Sequence, residues 1–143
     1  MSNKPGILVV DDSRPVLVVV RTMLETFGYS ADLVDSGTEA LRRLHVRFEE
    51  GRPHAAAVLN HTMSPMTGLD VRRAMLANRS FSAVPVILMS TAEAAGGLSA
   101  KTRDMFSSVL EKPFAAEALR AAIDSAVAQS HGPAATDNAR AQR

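Results

Sequence analysis

The spacing of apolar residues changes back and forth along this chain, and that alternation limits the folds open to it. Residues 7–10 (ILVV) form a short continuous apolar run, the pattern of a strand buried on both faces. Residues 16–27 then carry apolar side chains at 16, 17, 19, 20, 23, 24 and 27, a helical stripe. The VLVVV start of that stretch favours a strand on propensity alone. Pro15 and the later spacing favour a helix, which Gly28 ends.

The same alternation continues. Residues 30–34 predict a second strand, with a turn at Asp35-Ser36-Gly37. Residues 39–48 predict a second helix with Ala40, Leu41, Leu44 and Phe48 inward, broken by Gly51-Arg52-Pro53. A third strand is expected at 55–59 and a third helix at 69–76, apolar at Leu69, Val71, Met75 and Leu76. Pro85 opens a fourth strand at 86–89. Residues 94–106 predict only a short, poor helix, because Gly96-Gly97 and Thr102 disfavour one. A brief fifth strand at 109–110 precedes a final helix at 115–128, with Leu119, Ile123 and Val127 inward.

Five strands alternating with five helices imply a parallel sheet joined by right-handed crossovers. Such a sheet gathers its polar loops beyond the carboxyl ends of the strands. The 143 residues suffice for one domain, expected over 1–130. Residues 131–143 (HGPAATDNARAQR) have almost no bulky apolar side chain, so a disordered tail is expected there, with no DNA-binding or catalytic output domain. The formal net charge of +1, from 16 basic and 15 acidic residues, argues against partners recruited by bulk charge, whether nucleic acid or membrane. Arg42, Arg43 and Arg47 are expected on a solvated helix face. The absence of cysteine excludes disulfides, thiol catalysis and cysteine-ligated metals. No apolar run approaches a membrane span and residues 1–6 lack a signal-peptide core, so a cytoplasmic location is expected.

Polar residues follow the strands in order. Asp11 and Asp12 follow the first, Asn60 the third, Ser90 and Thr91 the fourth, and Lys112 the fifth. Adjacent carboxylates repel one another, and either a hard cation such as Mg²⁺ or the lysine can balance them. Any one of these residues alone reads as a helix cap or a surface lysine. Their recurrence at four strand ends reads as a site.

At this point the chain resembles the receiver domain of two-component response regulators, from about residue 7 to 127. VVDDS matches the family's acidic pair. VLNHTMSPMTG matches its phosphoacceptor segment, with Met63, Met66 and Gly68 at +3, +6 and +8 from position 60. PVILMS matches the fourth strand with its terminal hydroxyl, and EKPF the fifth, whose Lys-Pro bond is characteristically cis. The resemblance implies a flavodoxin-like (βα)5 doubly wound α/β sandwich with strand order 2-1-3-4-5. It also implies Mg²⁺ ligation by Asp11, Asp12 and the carbonyl of Thr62. Ser90, rather than the adjacent Thr91, would be the switch hydroxyl, and Lys112 the cation facing the phosphoryl group. A histidine kinase, a phosphotransfer protein or another signalling protein would be the partner.

The match fails at the acceptor, where aspartate is replaced by Asn60. A neutral amide lacks the nucleophilic oxygen needed for an acyl phosphate. It also removes a negative charge, so weak Mg²⁺ binding is expected, with Lys112 left to pair with Asp11 or Asp12. Smaller departures are Pro65 shifted one place, Thr91 narrowing access, Val109 at the aromatic switch position, and Arg103-Asp104-Met105-Phe106 replacing the family's alanine-glycine turn. His61 is expected to be a pocket-rim residue without a role, and His45 and His54 to support no metal site. The methionines are expected in core and loop packing. The expected function is therefore a non-enzymatic pseudo-receiver that signals by protein contact, as a monomer or weak homodimer. The alternative is an ordinary phosphoaccepting regulator carrying an engineered Asp-to-Asn substitution. A hydrolase with an aspartate nucleophile fits poorly, because its acids are typically spaced Asp-x-Asp rather than adjacent.

Overall fold

Every strand pairing in the sheet is parallel. A computed structural model describes residues 4–131. Strands β1 (Gly6–Val10), β2 (Ser30–Val34), β3 (Ala56–Asn60), β4 (Val86–Thr91) and β5 (Ser108–Lys112) lie in the order β2-β1-β3-β4-β5. This is the doubly wound, flavodoxin-like arrangement expected, with helices on both faces. The expected tail lies outside the described residues, apart from His131, which belongs to the last helix rather than to a tail. No described helix is long and apolar enough to cross a membrane.

Alternate residues of the inner strands feed two separate cores. Ile7, Val9, Ala56, Val58, Ile87 and Met89 face α1 (Arg14–Thr26) and α6 (Ala116–His131), meeting Leu17, Val20, Leu24, Leu119 and Ile123. Leu8, Val10, Ala57, Leu59, Val86 and Leu88 face α2 (Gly37–Glu49) and α3 (Gly68–Leu76), meeting Ala40, Leu44, Val71 and Met75. Continuous apolar strands are needed because both faces are covered.

Caps decide where the helices begin. The Ser13 hydroxyl accepts from the Val16 amide at 3.4 Å, and Pro15 sits in the first turn, so the VLVVV run starts as helix despite its β propensity. Gly28, at φ 97°, turns the chain after α1. Ser36 caps α2, and Thr67 with Asp70 forms a reciprocal capping box on α3.

The fourth crossover departs from the single helix expected. It is divided into α4 (Ala92–Gly96) and α5 (Ala100–Arg103), giving six helices among the described residues. Gly97 closes α4, and Ser99 starts a new helix by accepting from the Thr102 amide at 3.1 Å. Arg103 Nη2 donates to the Ala95 carbonyl at 2.7 Å and ties the two pieces together. Buried Arg72 on α3 donates to the carbonyls of Met105 (2.7 Å) and Val84 (3.1 Å), fastening this crossover to the body.

One inward assignment was incorrect: Phe48 is 42% exposed. Val19 and Leu76, apolar members of their helical patterns, are exposed as well. The solvated arginine face is also only partly right. Arg42 pairs with Glu39 at the surface, but Arg43 and Arg47 both turn to Asp32 on β2.

Asp32 also holds the buried His54, whose Nε2 lies 2.9 Å from Oδ2. Burial pushes the His54 pKa down, against the opposing pull of Asp32. Burial would raise Asp32, but its bond to His54 and the charges of Arg43 and Arg47 leave it below the usual value.

Two predictions follow from this packing. An added Cβ at Gly68 would sit 2.4 Å from the Asn60 carbonyl oxygen and 3.0 Å from Leu88 Cδ1. Gly68→Ala should therefore cost about 1–3 kcal/mol in denaturant unfolding, since backbone must move to accept it. For His54, a depressed folded pKa means the unfolded chain binds the extra proton first. Its contribution is intact above the unfolded value near 6.5 and declines as pH falls below it. Unfolding at pH 7.5 and 5.5 should show His54→Gln losing less stability over that interval than the parent.

Candidate functional site

The carboxyl ends of β1, β3 and β5 place Asp11, Asn60 and Lys112 in mutual contact. Lys112 Nζ donates to Asn60 Oδ1 at 2.8 Å and lies 3.6 Å from Asp11 Oδ2. Asn60 Nδ2 donates to the Thr62 carbonyl at 2.9 Å and approaches Asp11 Oδ1 at 3.5 Å. Lys112 thus reaches Asp11 as expected, but its closest partner is the amide. The Lys112–Pro113 bond is cis, and so is Ser64–Pro65 in the loop where proline is displaced.

Asp11 is 1% exposed. Burial raises its pKa, although the Ser13 amide, donating to Oδ1 at 2.9 Å, and the Lys112 charge act the other way. Its Oδ2 is buried without a hydrogen bond. Asp12, next in sequence, is exposed to solvent.

Ser90 is buried, and its Oγ lies 2.8 Å from His61 Nδ1. The sequence reading gave His61 no role, yet it touches the hydroxyl singled out as the switch. Sheet register contains the signal for this contact. Asn60 pairs with Met89, so the following residues on the two chains, His61 and Ser90, come alongside. Burial holds the His61 pKa below its ordinary value. Thr91 points elsewhere: it is exposed, and its hydroxyl caps α4 by accepting from the Ala94 amide at 3.1 Å. Val109 is partly buried against the core facing α2 and α3.

Mg²⁺ would need hard oxygen donors here. Asp11 and Asp12 supply carboxylates, but the Thr62 carbonyl already accepts from Asn60, whose own oxygen is turned to Lys112. Among the described residues, no group of three or more His, Cys, Asp or Glu is placed to hold a metal. The donor set therefore fits a divalent ion poorly. An apolar cleft of about 560 Å³ opens beside Lys112, between Val16, Val19 and Met23 of α1 and the Pro113-Phe114 segment.

Comparison with known proteins agrees with the fold and the family resemblance. The model of the response regulator receiver domain matches residues 7–124. The response regulator MprA of Mycobacterium leprae (strain TN) is 36% identical over 121 residues, covering 82% of this chain and 48% of that protein. MprA of Mycobacterium avium (strain 104) is 36% identical over 119 residues, covering 80% and 47%. The chain thus spans about half the length of these curated relatives. Among solved structures, a sensor protein from Polaromonas sp. JS666 superimposes with TM-score 0.78 at 24% identity, covering 88% of this chain and 98% of that one. The receiver domain of sensor histidine kinase PA1611 from Pseudomonas aeruginosa PAO1, described with a magnesium ion coordinated in its active-site cleft, gives TM-score 0.74 at 24% identity, with coverage of 87% and 98%. With the strand order, the motif series and the match over residues 7–124 in agreement, the chain belongs to the response regulator receiver domain family of two-component signalling.

Proposed function

We propose that residues 1–130 act as a pseudo-receiver: a signalling module that keeps the receiver fold but forms no aspartyl phosphate. The observation that carries this reading is the state of the Asn60 carboxamide. Its oxygen accepts from Lys112 and its nitrogen donates to Thr62, leaving no carboxylate oxygen to attack phosphorus. The module then works through protein contact, with a histidine kinase, a phosphotransfer protein or another signalling protein as partner. It functions in the cytoplasm as a monomer or weak homodimer, without contacting nucleic acid or membrane, and is not itself an enzyme.

Within this reading Asn60 is the changed phosphoacceptor position, Ser90 the switch hydroxyl and Lys112 its cation. Asp11, Asp12 and the Thr62 carbonyl form a weak Mg²⁺ site. Placing Val109 where an aromatic switch normally sits, and dividing the fourth helix, both fit a module that does not relay phosphorylation in the usual way. The retention of Asp11, Asp12, Ser90 and Lys112 favours a second reading, an ordinary receiver changed only at position 60.

Incubation with acetyl phosphate separates the possibilities. The parent chain should remain unlabelled, and an acid-stable, base-labile acyl phosphate on it would overturn the pseudo-receiver reading. Ready labelling of Asn60→Asp would mean a pocket competent in all but its acceptor, as the second reading requires. Failure of that variant to label would mean the loss extends beyond position 60. By calorimetry, the parent should bind Mg²⁺ no more tightly than the millimolar range. Asn60→Asp should gain on the order of tenfold, the effect of one added charge beside a divalent ion.

A further inference from the structure

We propose that Lys112 and Asn60 form an intramolecular isopeptide bond, with Asp11 carrying the protons. Three features of the pocket converge on this chemistry. The first is proximity: a primary amine, Lys112 Nζ, sits 2.8 Å from the oxygen of the Asn60 side-chain carbonyl. Reaction requires that nitrogen to move from the oxygen to Cγ, the atom bonded to it, and fixing two reactants together removes most of the entropic cost of their meeting.

The second feature is the position of Asp11. Its Oδ2, buried and without a hydrogen bond, lies 3.6 Å from the attacking nitrogen. Its Oδ1 lies 3.5 Å from Nδ2, the nitrogen that must leave. One carboxylate therefore spans the nucleophile and the leaving group, which is the placement required of a group that is base first and acid second.

The third feature is the closing of rival routes. Asn60 is 7% and Asp11 1% exposed, so hydrolysis by bulk water is restricted. The ordinary loss of ammonia from asparagine begins with attack by the next backbone nitrogen. Here that nitrogen, of His61, donates to the Met89 carbonyl at 2.8 Å and is held in the sheet. The lysine amine is left as the nucleophile in position.

The step balances without any further reactant. Lys112 passes a proton from its ammonium group to Asp11, and the freed lone pair forms the Nζ–Cγ bond. The second proton lost from Nζ and the one held by Asp11 both move to Nδ2. The Cγ–Nδ2 bond breaks, ammonium leaves, and Asp11 returns to its starting form. The product joins the end of β3 to the end of β5 across the intervening β4, making a covalent brace over the pocket.

Phosphoryl labelling and cross-linking are separate measurements, so this inference can fail while the pseudo-receiver reading stands, and the reverse. The test is the intact mass of the purified full chain after prolonged incubation. The expected result is a loss of about 17 Da, one ammonia, with digestion releasing a linked pair of peptides that contain Asn60 and Lys112. Lys112→Arg keeps the positive charge but removes the amine, and should retain the full mass with a native circular dichroism spectrum. Asp11→Asn should slow or abolish the loss, and Asn60→Asp, which has no amide to lose, should keep its full mass. The parent should also melt at a higher temperature than Lys112→Arg. An unchanged parent mass would overturn the proposal. So would a gain of about 1 Da, the mark of hydrolysis to aspartate, or an ammonia loss carried on a single linear peptide.

Discussion

Asp11 is a carboxylate withdrawn almost completely from water, and the carboxyl edge of the sheet is organised around that cost. An isolated buried charge is expensive unless paired or hydrogen-bonded. The structure supplies partial compensation from three elements: the Ser13 amide at the start of α1, the Asn60 amide from β3, and the Lys112 ammonium from β5. None meets Oδ2 with a hydrogen bond. The parallel sheet makes this possible, because successive strands deliver their ends to one edge while crossovers keep both faces dry.

The replacement of a carboxylate by an amide changes more than nucleophilicity. A carboxylate at position 60 would only accept hydrogen bonds and would repel Asp11. The carboxamide both accepts and donates. Its oxygen takes the lysine, while its NH₂ group turns toward the Thr62 carbonyl and Asp11, two of the groups implied as metal ligands. The amide hydrogens thus occupy, with partial positive charge, the side of the cluster that a cation would otherwise compensate. The carboxamide thereby satisfies its own oxygen and nitrogen, while Asp11 Oδ2 stays without a hydrogen bond.

Most of the fold was legible because the signals were local and mutually consistent. ILVV, residues 30–34, Pro15, Gly28 and the Gly51-Arg52-Pro53 break each announced an element or its limit without tertiary information. The fourth crossover was harder. Its poor helix propensity was visible, but the choice of two short helices over one depends on Ser99 capping a second start and on Arg103 bridging back to Ala95. The strand-end residues were readable through their order along the chain. Their partners were not, since hydrogen-bond partners across strands depend on register and rotamer. His61 on Ser90, Thr91 turned to α4, and Arg43 and Arg47 drawn to Asp32 are all of that kind.

Asp11 and the partly buried Asp32 are two carboxylates withdrawn from water to different degrees and compensated differently. Asp32 has two arginines and a histidine around it, and these outweigh burial to leave its pKa lowered. Arginine holds its charge under all ordinary conditions and has no tendency to act as a nucleophile, so that cluster is an inert clasp between β2 and α2. Asp11 has one lysine, shared with an amide, and burial prevails to leave its pKa raised. A buried carboxyl group beside a lysine and an amide carbonyl is a different object from a clasp. The same type of residue has its pKa lowered in one place and raised in the other because arginines and a histidine surround the first and a lysine shared with an amide the second.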